Sequence, residues 1–205
     1  MSDLQCAARL YVARHGEAEF ESELLVDQGG SLTVKGRAQA RELADRLRGE
    51  RIAHVYSSSY SRAVQTAEIV AAALGVGVTV REALLEISVG DHAGEPSEPD
   101  PIRPVFERWA DGDLTARIPG AESGAEVVAR VAGALDEIAD LHRGESVLII
   151  SHGGAISTAV PTLARNLQMR HVLGRQLACC EPIRVDRDAD GWLASQWPGV
   201  DLDVR

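Results

Sequence analysis

Two short apolar stretches of the chain lead into the same pair of residues, a histidine followed by a glycine. Residues 10–13 precede an Arg-His-Gly sequence centred on His15, and residues 148–150 precede a Ser-His-Gly sequence centred on His152. A neutral imidazole is a competent nucleophile, and a guanidinium binds the oxygens of phosphate through paired N–H donors. These residue types therefore indicate an anion-binding site that can carry out nucleophilic chemistry.

The two histidines are predicted to lie at one edge of a sheet. Each apolar stretch has the composition of a buried strand, and ligands of open α/β proteins bind at the carboxyl ends of the strands. A lone histidine is more often structural than catalytic, but two His-Gly strand ends with arginines beside them are hard to explain by packing. Arg14 precedes the first histidine, and Arg62 falls in the first turn of a predicted helix, where the helix dipole favours an anion.

The elements that must position these residues alternate along the chain. Periodicity and breakers predict strands at 10–13, 54–58, 76–80 and 146–150. They predict helices at about 33–48, 61–74, 102–109 and 122–143, and another that begins near Ala155 and is limited or kinked by Pro161. Residues 180–185 and 192–197 predict a hairpin. The pattern favours a three-layer α/β/α sandwich with a mostly parallel central sheet and an antiparallel edge strand.

Bulk properties limit the class of protein. With 205 residues, the chain is most simply one domain over residues 1–205, with a core at about 9–197. A formal net charge of −10 argues against a nucleic-acid partner or an anionic membrane surface, so a local cluster of positive charge must bind any anion. No apolar run approaches the ~20 residues of a membrane helix, and no signal peptide is visible.

Cysteine usage indicates the cellular compartment. Cys6, Cys179 and Cys180 do not form a disulfide framework and suit a reducing environment, so we expect a cytoplasmic protein. No spacing of cysteine and histidine typical of a metal site occurs, and we expect no metal.

The residue types suit phosphoryl transfer. Two guanidiniums and a second imidazole can hold a tetrahedral dianion while His15 attacks phosphorus, and they supply positive charge without a metal. The leaving alkoxide needs a proton, for which a carboxyl group on the opposite side is the usual donor. The sequence alone leaves four candidates for this acid: Glu82, Glu86, Asp91 and Glu95.

The motifs around His15 and His152 resemble those of the histidine phosphatase superfamily, also called the phosphoglycerate mutase-like family. The resemblance extends in order over about residues 9–160. Its further landmarks are Leu32-Thr33, Gly36, Gln39-Ala40, Ser57-Ser58, Arg62, Thr66-Ala67, Glu86, Gly90, Gly94, Pro119-Gly120, Glu122-Ser123 and Arg130.

The resemblance implies a phosphoglycerate mutase-like fold, no cofactor, and a role for each matching residue. His15 would become phosphohistidine, and Glu86 would protonate the leaving group and then activate water. The phosphoryl oxygens would be bound by Arg14, Arg62 and His152. Gly16, Ser57 and Gly153 are expected to support the site.

The other histidines are given lesser roles. His92 is expected at the rim of the site because it lies near the segment that carries the acid. No motif surrounds His54, His142 or His171, which we expect to be structural or on the surface.

Two positions depart from the family pattern. Ala18 and Glu21 stand where the family often has threonine and asparagine. Asparagine donates to phosphate, whereas an ionised glutamate cannot, and a carboxylate ~4 Å from a dianion would weaken binding by about 1 to 4 kcal/mol. We expect that Glu21 points away, reduces the affinity for phosphate, or meets a cationic part of the substrate.

Three functions fit this sequence: a metal-independent phosphomonoesterase, a cofactor-dependent phosphoglycerate mutase, and a non-catalytic phosphate-binding protein. Mutases of the family carry a longer insertion after the acid, with adjacent arginines that bind the substrate carboxylate. Residues 95–119 are instead short, proline-rich and acidic, with only Arg103, Arg108 and Arg117 scattered through them. The phosphatase is favoured.

The expected partner is a small phosphorylated metabolite rather than nucleic acid or a membrane. We expect the rim at residues 90–109 to select the substrate. Trp109 and Phe106 are interpreted as packing residues of the short helix there. A homodimer is the common default for a domain of this kind.

Overall fold

A six-stranded mixed sheet forms the centre of the structure, which is a computed structural model describing residues 7–19, 24–172, 174–175, 177–188 and 190–203. Its strands are β1 (Arg9–Arg14), β2 (Ile52–Ser57), β3 (Gly77–Val80), β4 (Ser146–Ser151), β5 (Pro182–Asp188) and β6 (Gly191–Gln196). The strand order is β3-β2-β4-β1-β5-β6. The first four are parallel, and β5 and β6 add the antiparallel hairpin predicted from the sequence.

Helices cover both faces of the sheet. They are α1 (Val34–Leu47), α2 (Ser61–Leu74), α3 (Arg103–Ala110), α4 (Gly124–Leu141), α5 (Gly153–Leu163) and α6 (Met169–Val172). Single 3₁₀ turns lie at Arg48–Glu50, Glu82–Leu84 and Gly90–His92. In the part of the chain described here, no helix has both the length and the apolar character needed to cross a membrane.

Strand alternation divides the core between two helical layers. Side chains of successive strand residues point to opposite faces, so Leu148 packs with α1 and α2 whereas Ile149 packs with α4 and α5. Both faces of β1 and β4 are buried, which explains their continuous apolar sequences. The three-layer α/β/α sandwich is thus confirmed.

The register of β1 against β4 brings the two motifs together. The strands are parallel, and Arg14 lies opposite Ser151 in the last pair of the ladder. The backbone N–H of His15 then donates to the carbonyl of Ser151 over 3.0 Å. His15 and His152 therefore follow neighbouring strands at the same edge of the sheet.

Local signals set the helix ends. The Thr33 side chain accepts from the backbone N–H of Gly36 at the start of α1, and a capping box of Ser123 and Glu126 begins α4. The predicted helix 61–74 matches α2, whereas α4 is shorter than the predicted 122–143 by two residues at each end. Pro161 lies within α5, which continues to Leu163 before it ends.

Histidines outside the two motifs occupy structural or surface positions. His142 Nε2 lies 2.9 Å from the Tyr56 hydroxyl, and His54 Nε2 lies 2.8 Å from the Thr79 hydroxyl. The His54 and His142 rings stack with their centroids 5.9 Å apart. His171 is exposed on α6.

Two glycines let α1 pack directly against the turn that carries His15. A Cβ added at Gly16 would lie 2.6 Å from the Gly36 carbonyl oxygen, and a Cβ added at Gly36 would collide with the Glu17 carbonyl oxygen. Both contacts are with backbone, which cannot move aside as a flexible side chain could. The start of α1 therefore limits where this turn can lie.

We predict that Gly36→Ala destabilises the protein, because the new methyl must displace the turn after β1. Overpacking of this kind typically costs about 1–3 kcal/mol, more than the helix propensity gained. The matched control is Gly133→Ala in the exposed middle of α4, where a Cβ meets nothing within 4 Å. That substitution should stabilise by ~0.5–1 kcal/mol. Urea unfolding measures the free energy of unfolding of both variants. If the two substitutions change it equally, the close contact of Gly36 with the turn after β1 does not limit stability.

Candidate active site

His15 is buried at the end of β1, with its ring held from both sides. Its Nδ1 lies 2.7 Å from the Gly16 carbonyl oxygen, and its Nε2 lies 3.0 Å from Nε of Arg62. A carbonyl can only accept and a guanidinium can only donate, so Nδ1 carries the proton and Nε2 presents its lone pair. This is the tautomer that a nucleophilic Nε2 requires.

Arg62 reaches His15 from the first turn of α2 and is only 2% exposed. The hydroxyl of Thr66 donates to the Arg62 carbonyl over 2.7 Å and accepts from the backbone N–H of Gly16 over 3.0 Å. The Tyr60 ring lies beside the guanidinium, 4.8 Å from Cζ to the ring centroid. The helix start and the turn after β1 are thus linked through one side chain.

His152 is fully buried at the start of α5, with its ring centroid 5.1 Å from that of His15. The Ser58 hydroxyl lies 2.6 Å from Nε2 of His152. Nδ1 of His152 is also buried and forms no hydrogen bond with any residue that the structure describes. The second imidazole therefore has one ring nitrogen beside Ser58 and the other without a hydrogen-bond partner among the described residues.

Glu86 follows the 3₁₀ turn at Glu82–Leu84, and its side chain reaches the first residues of α5, the helix that His152 precedes. Its carboxylate accepts from the backbone N–H groups of Gly154 over 3.0 Å, Ala155 over 2.8 Å and Ile87 over 2.9 Å. These three bonds fix the carboxyl group of Glu86 against the first turn of α5. Of the four acids that the sequence left open, Glu86 is the one that lines the cleft described next.

Arg14 opens onto a cleft of about 410 Å³ that begins at this cluster. Its Nη1 donates to the Leu177 carbonyl over 3.3 Å, and its side chain runs past Gly153, where an added Cβ would lie 3.6 Å from Cδ of Arg14. Glu86, Phe106 and Ser157 line the same cleft, and the exposed residues Asp100 and Arg175 line its outer part.

Burial keeps both imidazoles neutral. It lowers the pKa of His15 to about 3, with the Arg62 and Arg14 charges adding to the effect and the Gly16 carbonyl opposing it. Burial likewise holds the pKa of His152 well below its usual range, aided by His15 and the arginines. Burial also lowers the pKa of Arg62, while the Glu86 carboxylate opposes that shift. At neutral pH the cluster therefore offers two neutral rings between cationic arginines.

The other residues predicted to support the site or lie at its rim are Ser57, His92 and Glu21. Ser57 is buried but donates to the Ser58 carbonyl over 2.8 Å rather than contacting His152. His92 lies outside the cleft lining, with its Nδ1 2.8 Å from a Glu95 carboxylate oxygen. Glu21 lies outside the described residues.

Sequence reasoning missed several residues at the site. Ser58 was named only as a family landmark, and its contact with His152 was not predicted, although it follows Ser57 at the end of β2. Arg175 carries no local signal, since the loop after α6 approaches the cleft only through tertiary folding. The predicted rim at 90–109 supplies Asp100 and Phe106, but other parts of the lining come from α5 and from Val172, Gly174, Arg175 and Leu177. Trp109 is buried as predicted, and Phe106 both packs against it and lines the cleft.

Candidate metal ligands do not cluster in the part of the chain that the structure covers. A search of the described residues finds no group of three or more His, Cys, Asp or Glu placed to hold a metal ion.

Comparison with known proteins identifies a single family. A model of the Histidine phosphatase superfamily (branch 1) matches residues 10–198. A protein named probable phosphoglycerate mutase GpmB from Salmonella choleraesuis (strain SC-B67) is 34% identical over 203 residues, which cover 92% of this chain and 89% of the relative.

Solved structures share the fold over nearly the whole chain. YhfR of Bacillus stearothermophilus has a TM-score of 0.77 and 26% identity, covering 95% of this chain and 98% of its own. A phosphoserine phosphatase from Entamoeba histolytica, solved in complex with phosphoserine, has a TM-score of 0.78 and 21% identity. The match covers 94% of this chain and 97% of that phosphatase. A mycobacterial glucosyl-3-phosphoglycerate phosphatase has a TM-score of 0.77 and 22% identity. The match covers 92% of this chain and 98% of that phosphatase.

We predict that His15 makes folding stability depend on pH. Its pKa in the folded state is about 3 against an ordinary 6.5, so the unfolded chain binds the extra proton and stability falls as pH drops from 6.5 towards 3. Linkage gives a loss of about 2 kcal/mol from this group between pH ~7 and pH ~5. Urea unfolding of the wild type and of His15→Gln at both pH values measures it.

The control for this experiment is His171→Gln, which removes an exposed histidine. It should leave the pH dependence of the wild type intact. If His15→Gln loses as much stability on acidification as the wild type does, the proposed burial of a neutral His15 is wrong.

Proposed function

The chain belongs to the histidine phosphatase superfamily, and on that premise we propose that it hydrolyses phosphomonoesters through a phosphohistidine intermediate on His15. The observation that carries the proposal is the held tautomer of His15, whose Nε2 lone pair meets the buried Arg62 guanidinium. A neutral, oriented imidazole of this kind can attack phosphorus. The family likeness supports phosphoryl chemistry, and the geometry supports this nucleophile.

The cluster offers a binding site for the phosphoryl group of the substrate. Arg14, Arg62 and the free Nδ1 of His152 can each donate to a phosphoryl oxygen. We propose that the Ser58 hydroxyl, 2.6 Å from Nε2 of His152, donates to it, so that Nδ1 carries the proton that such a donation needs. Arg62 turns from Nε2 of His15 to the phosphoryl oxygens as the ester binds, which frees the lone pair. These positive charges stabilise the transferring group in a largely buried site.

Glu86 is proposed as the general acid and base. Nε2 of His15 attacks phosphorus, the ester P–O bond breaks, and Glu86 gives its proton to the departing oxygen. In the second step water attacks the phosphohistidine, Glu86 takes a proton from that water, and the P–N bond breaks to release inorganic phosphate. The carboxylate supports this role because it lies in the cleft beside Gly154, next to the start of the helix that carries His152.

A phosphatase fits the outer cleft better than a mutase does. A phosphoglycerate mutase must hold a small, highly anionic substrate away from water. The outer walls here include Arg175 but also a carboxylate, that of Asp100, and both residues are exposed. The mutase stays a second candidate because the 34% identical relative is named a probable phosphoglycerate mutase.

The substrate is proposed to be a small phosphorylated metabolite. The names of two solved relatives, the glucosyl-3-phosphoglycerate phosphatase and the phosphoserine phosphatase, support this class of substrate. A cleft of about 410 Å³ is also in the range that small ligands occupy. We propose that the reaction needs no metal, because the arginines and His152 supply the positive charge, and that the chain works as one cytoplasmic domain.

We predict turnover of an aryl phosphate such as p-nitrophenyl phosphate in excess chelator. His15→Ala should lower kcat at least ~1,000-fold, since the nucleophile is lost. Rapid quenching of the wild type in alkali should trap acid-labile phosphate on His15. His171→Ala serves as the control and should keep wild-type activity. Turnover that disappears with chelator would overturn metal independence, and turnover that survives in His15→Ala would overturn the nucleophile.

A second assay separates the phosphatase from the mutase. We predict that phosphoglycerate incubated with a catalytic amount of bisphosphoglycerate yields inorganic phosphate faster than it yields the isomeric phosphoglycerate. The expected reason is that water reaches the phosphohistidine through the exposed mouth of the cleft. Isomer formation that exceeds phosphate release would assign the mutase activity instead.

A further inference from the structure

Arg130 on α4 holds the backbone of the segment that carries Glu86. Its Nη1 donates to the carbonyl oxygens of Ala83 over 3.0 Å and of Leu85 over 2.8 Å, and its Nη2 donates to that of Glu86 over 3.3 Å. The remaining carbonyl of this run, that of Leu84, accepts from the Ser151 hydroxyl over 2.8 Å. Four consecutive carbonyl groups before and at Glu86 are therefore fixed by two side chains.

These two side chains come from elements that build the catalytic cluster. Ser151 ends β4 and directly precedes His152, so its hydroxyl ties the segment to the strand that positions the second imidazole. Leu84 is 1% exposed and packs into the core beneath α4. The segment is thus held between the sheet edge and α4.

Glu122 orients the Arg130 guanidinium. Its carboxylate accepts from Nε over 2.7 Å and from Nη2 over 2.9 Å, the paired geometry in which arginine and carboxylate fit best. The two side chains are only 20% and 32% exposed, so this pair is partly withdrawn from water. With Glu122 on one edge, the guanidinium presents its remaining N–H groups to the three carbonyls.

We propose that Arg130, oriented by Glu122, is a positioning residue that sets the Glu86 carboxyl group for proton transfer to the leaving oxygen. The proposal rests on the proposed function of Glu86. Arg130 acts through the backbone of residues 83–86 and contacts no substrate atom. Its influence is geometric, because a proton donor works only within hydrogen-bond reach of the oxygen it protonates.

Only a guanidinium has the shape to make all of these hydrogen bonds at once. Five N–H donors in one plane reach three carbonyls and a bidentate carboxylate at once, whereas an ammonium is a single point with three donors. Arg130→Lys keeps the charge but cannot keep all of these bonds. Glu122→Gln keeps Arg130 in place and weakens only its orientation, so it is the milder second variant.

The experiment compares leaving groups. p-Nitrophenyl phosphate releases a phenolate that needs little help from an acid, whereas an alkyl phosphate such as glycerol phosphate releases an alkoxide that must be protonated. Glu86→Gln should lower kcat/KM for the alkyl ester by ~10²–10⁴-fold and for the aryl ester far less. Arg130→Lys should show the same selectivity, with a loss of about 10–100-fold on the alkyl ester and within about threefold on the aryl ester.

Glu122→Gln should show the same selectivity with a smaller loss. The matched control is Arg184→Met, which breaks another partly buried arginine–carboxylate pair, that of Arg184 with Asp186 on β5. It should leave the ratio of alkyl to aryl kcat/KM unchanged. Inhibition by inorganic phosphate should also stay within about threefold in Arg130→Lys, because the phosphoryl-binding side chains are untouched.

Two results would overturn the proposal, and they differ. If Glu86→Gln is leaving-group selective but Arg130→Lys and Glu122→Gln lower both esters equally, Arg130 is merely structural. If Glu86→Gln itself lowers both esters equally, Glu86 is not the acid, and the role proposed for Arg130 falls with it. Thermal unfolding of each variant shows whether the protein assayed is folded.

Discussion

The parallel pairing of β1 with β4 is the constraint on which the site depends. The ladder ends with Arg14 opposite Ser151, and one further backbone bond joins His15 to Ser151. A shift of one residue in this register would turn every side chain of the strand to the other face and would bury polar groups in a helical layer. The apolar residues of both strands therefore fix the distance between the two imidazoles. The rest of the site is arranged around this pair.

The surrounding contacts hold together a cluster of positive charge that electrostatic repulsion would otherwise separate. Burial, with the charges of Arg62 and Arg14 adding to it, lowers the pKa of His15 to about 3. Thr66 and the close approach of Gly36 hold the turn after β1, while Ser58 holds His152. Without a bound anion this arrangement of positive charge is unfavourable. Contacts of this kind hold it in place, so that the site is formed before an anion binds.

The sequence predicted the layers and the residues at strand ends better than it predicted the walls of the cleft. Periodicity and capping are local properties, so α2 matched its predicted bounds and the hairpin of β5 and β6 was found. His15, Arg62 and His152 were predicted to be neighbours because strand ends and helix starts meet at one sheet edge, and the structure brings them together.

Other parts of the site depend on long-range contacts that no local pattern encodes. Residue types alone left four candidate acids, and only the family resemblance implied Glu86. That Glu86 is the one that reaches the start of α5 follows from the path of the whole 82–95 segment. The contact of Arg130 with residues 83–86 and the approach of Arg175 to the cleft depend likewise on tertiary packing.

The exposed mouth of the cleft has a consequence for the fate of the transferred group. Asp100 and Arg175 at its outer end are both in contact with solvent. On the proposed route, the alcohol leaves by the same opening through which the next acceptor enters. Water and dissolved alcohols then compete for one phosphohistidine, and their relative concentrations set the partition between hydrolysis and transphosphorylation. On that route, the difference between a phosphatase and a transferase would be a kinetic ratio at one opening rather than a different set of catalytic groups.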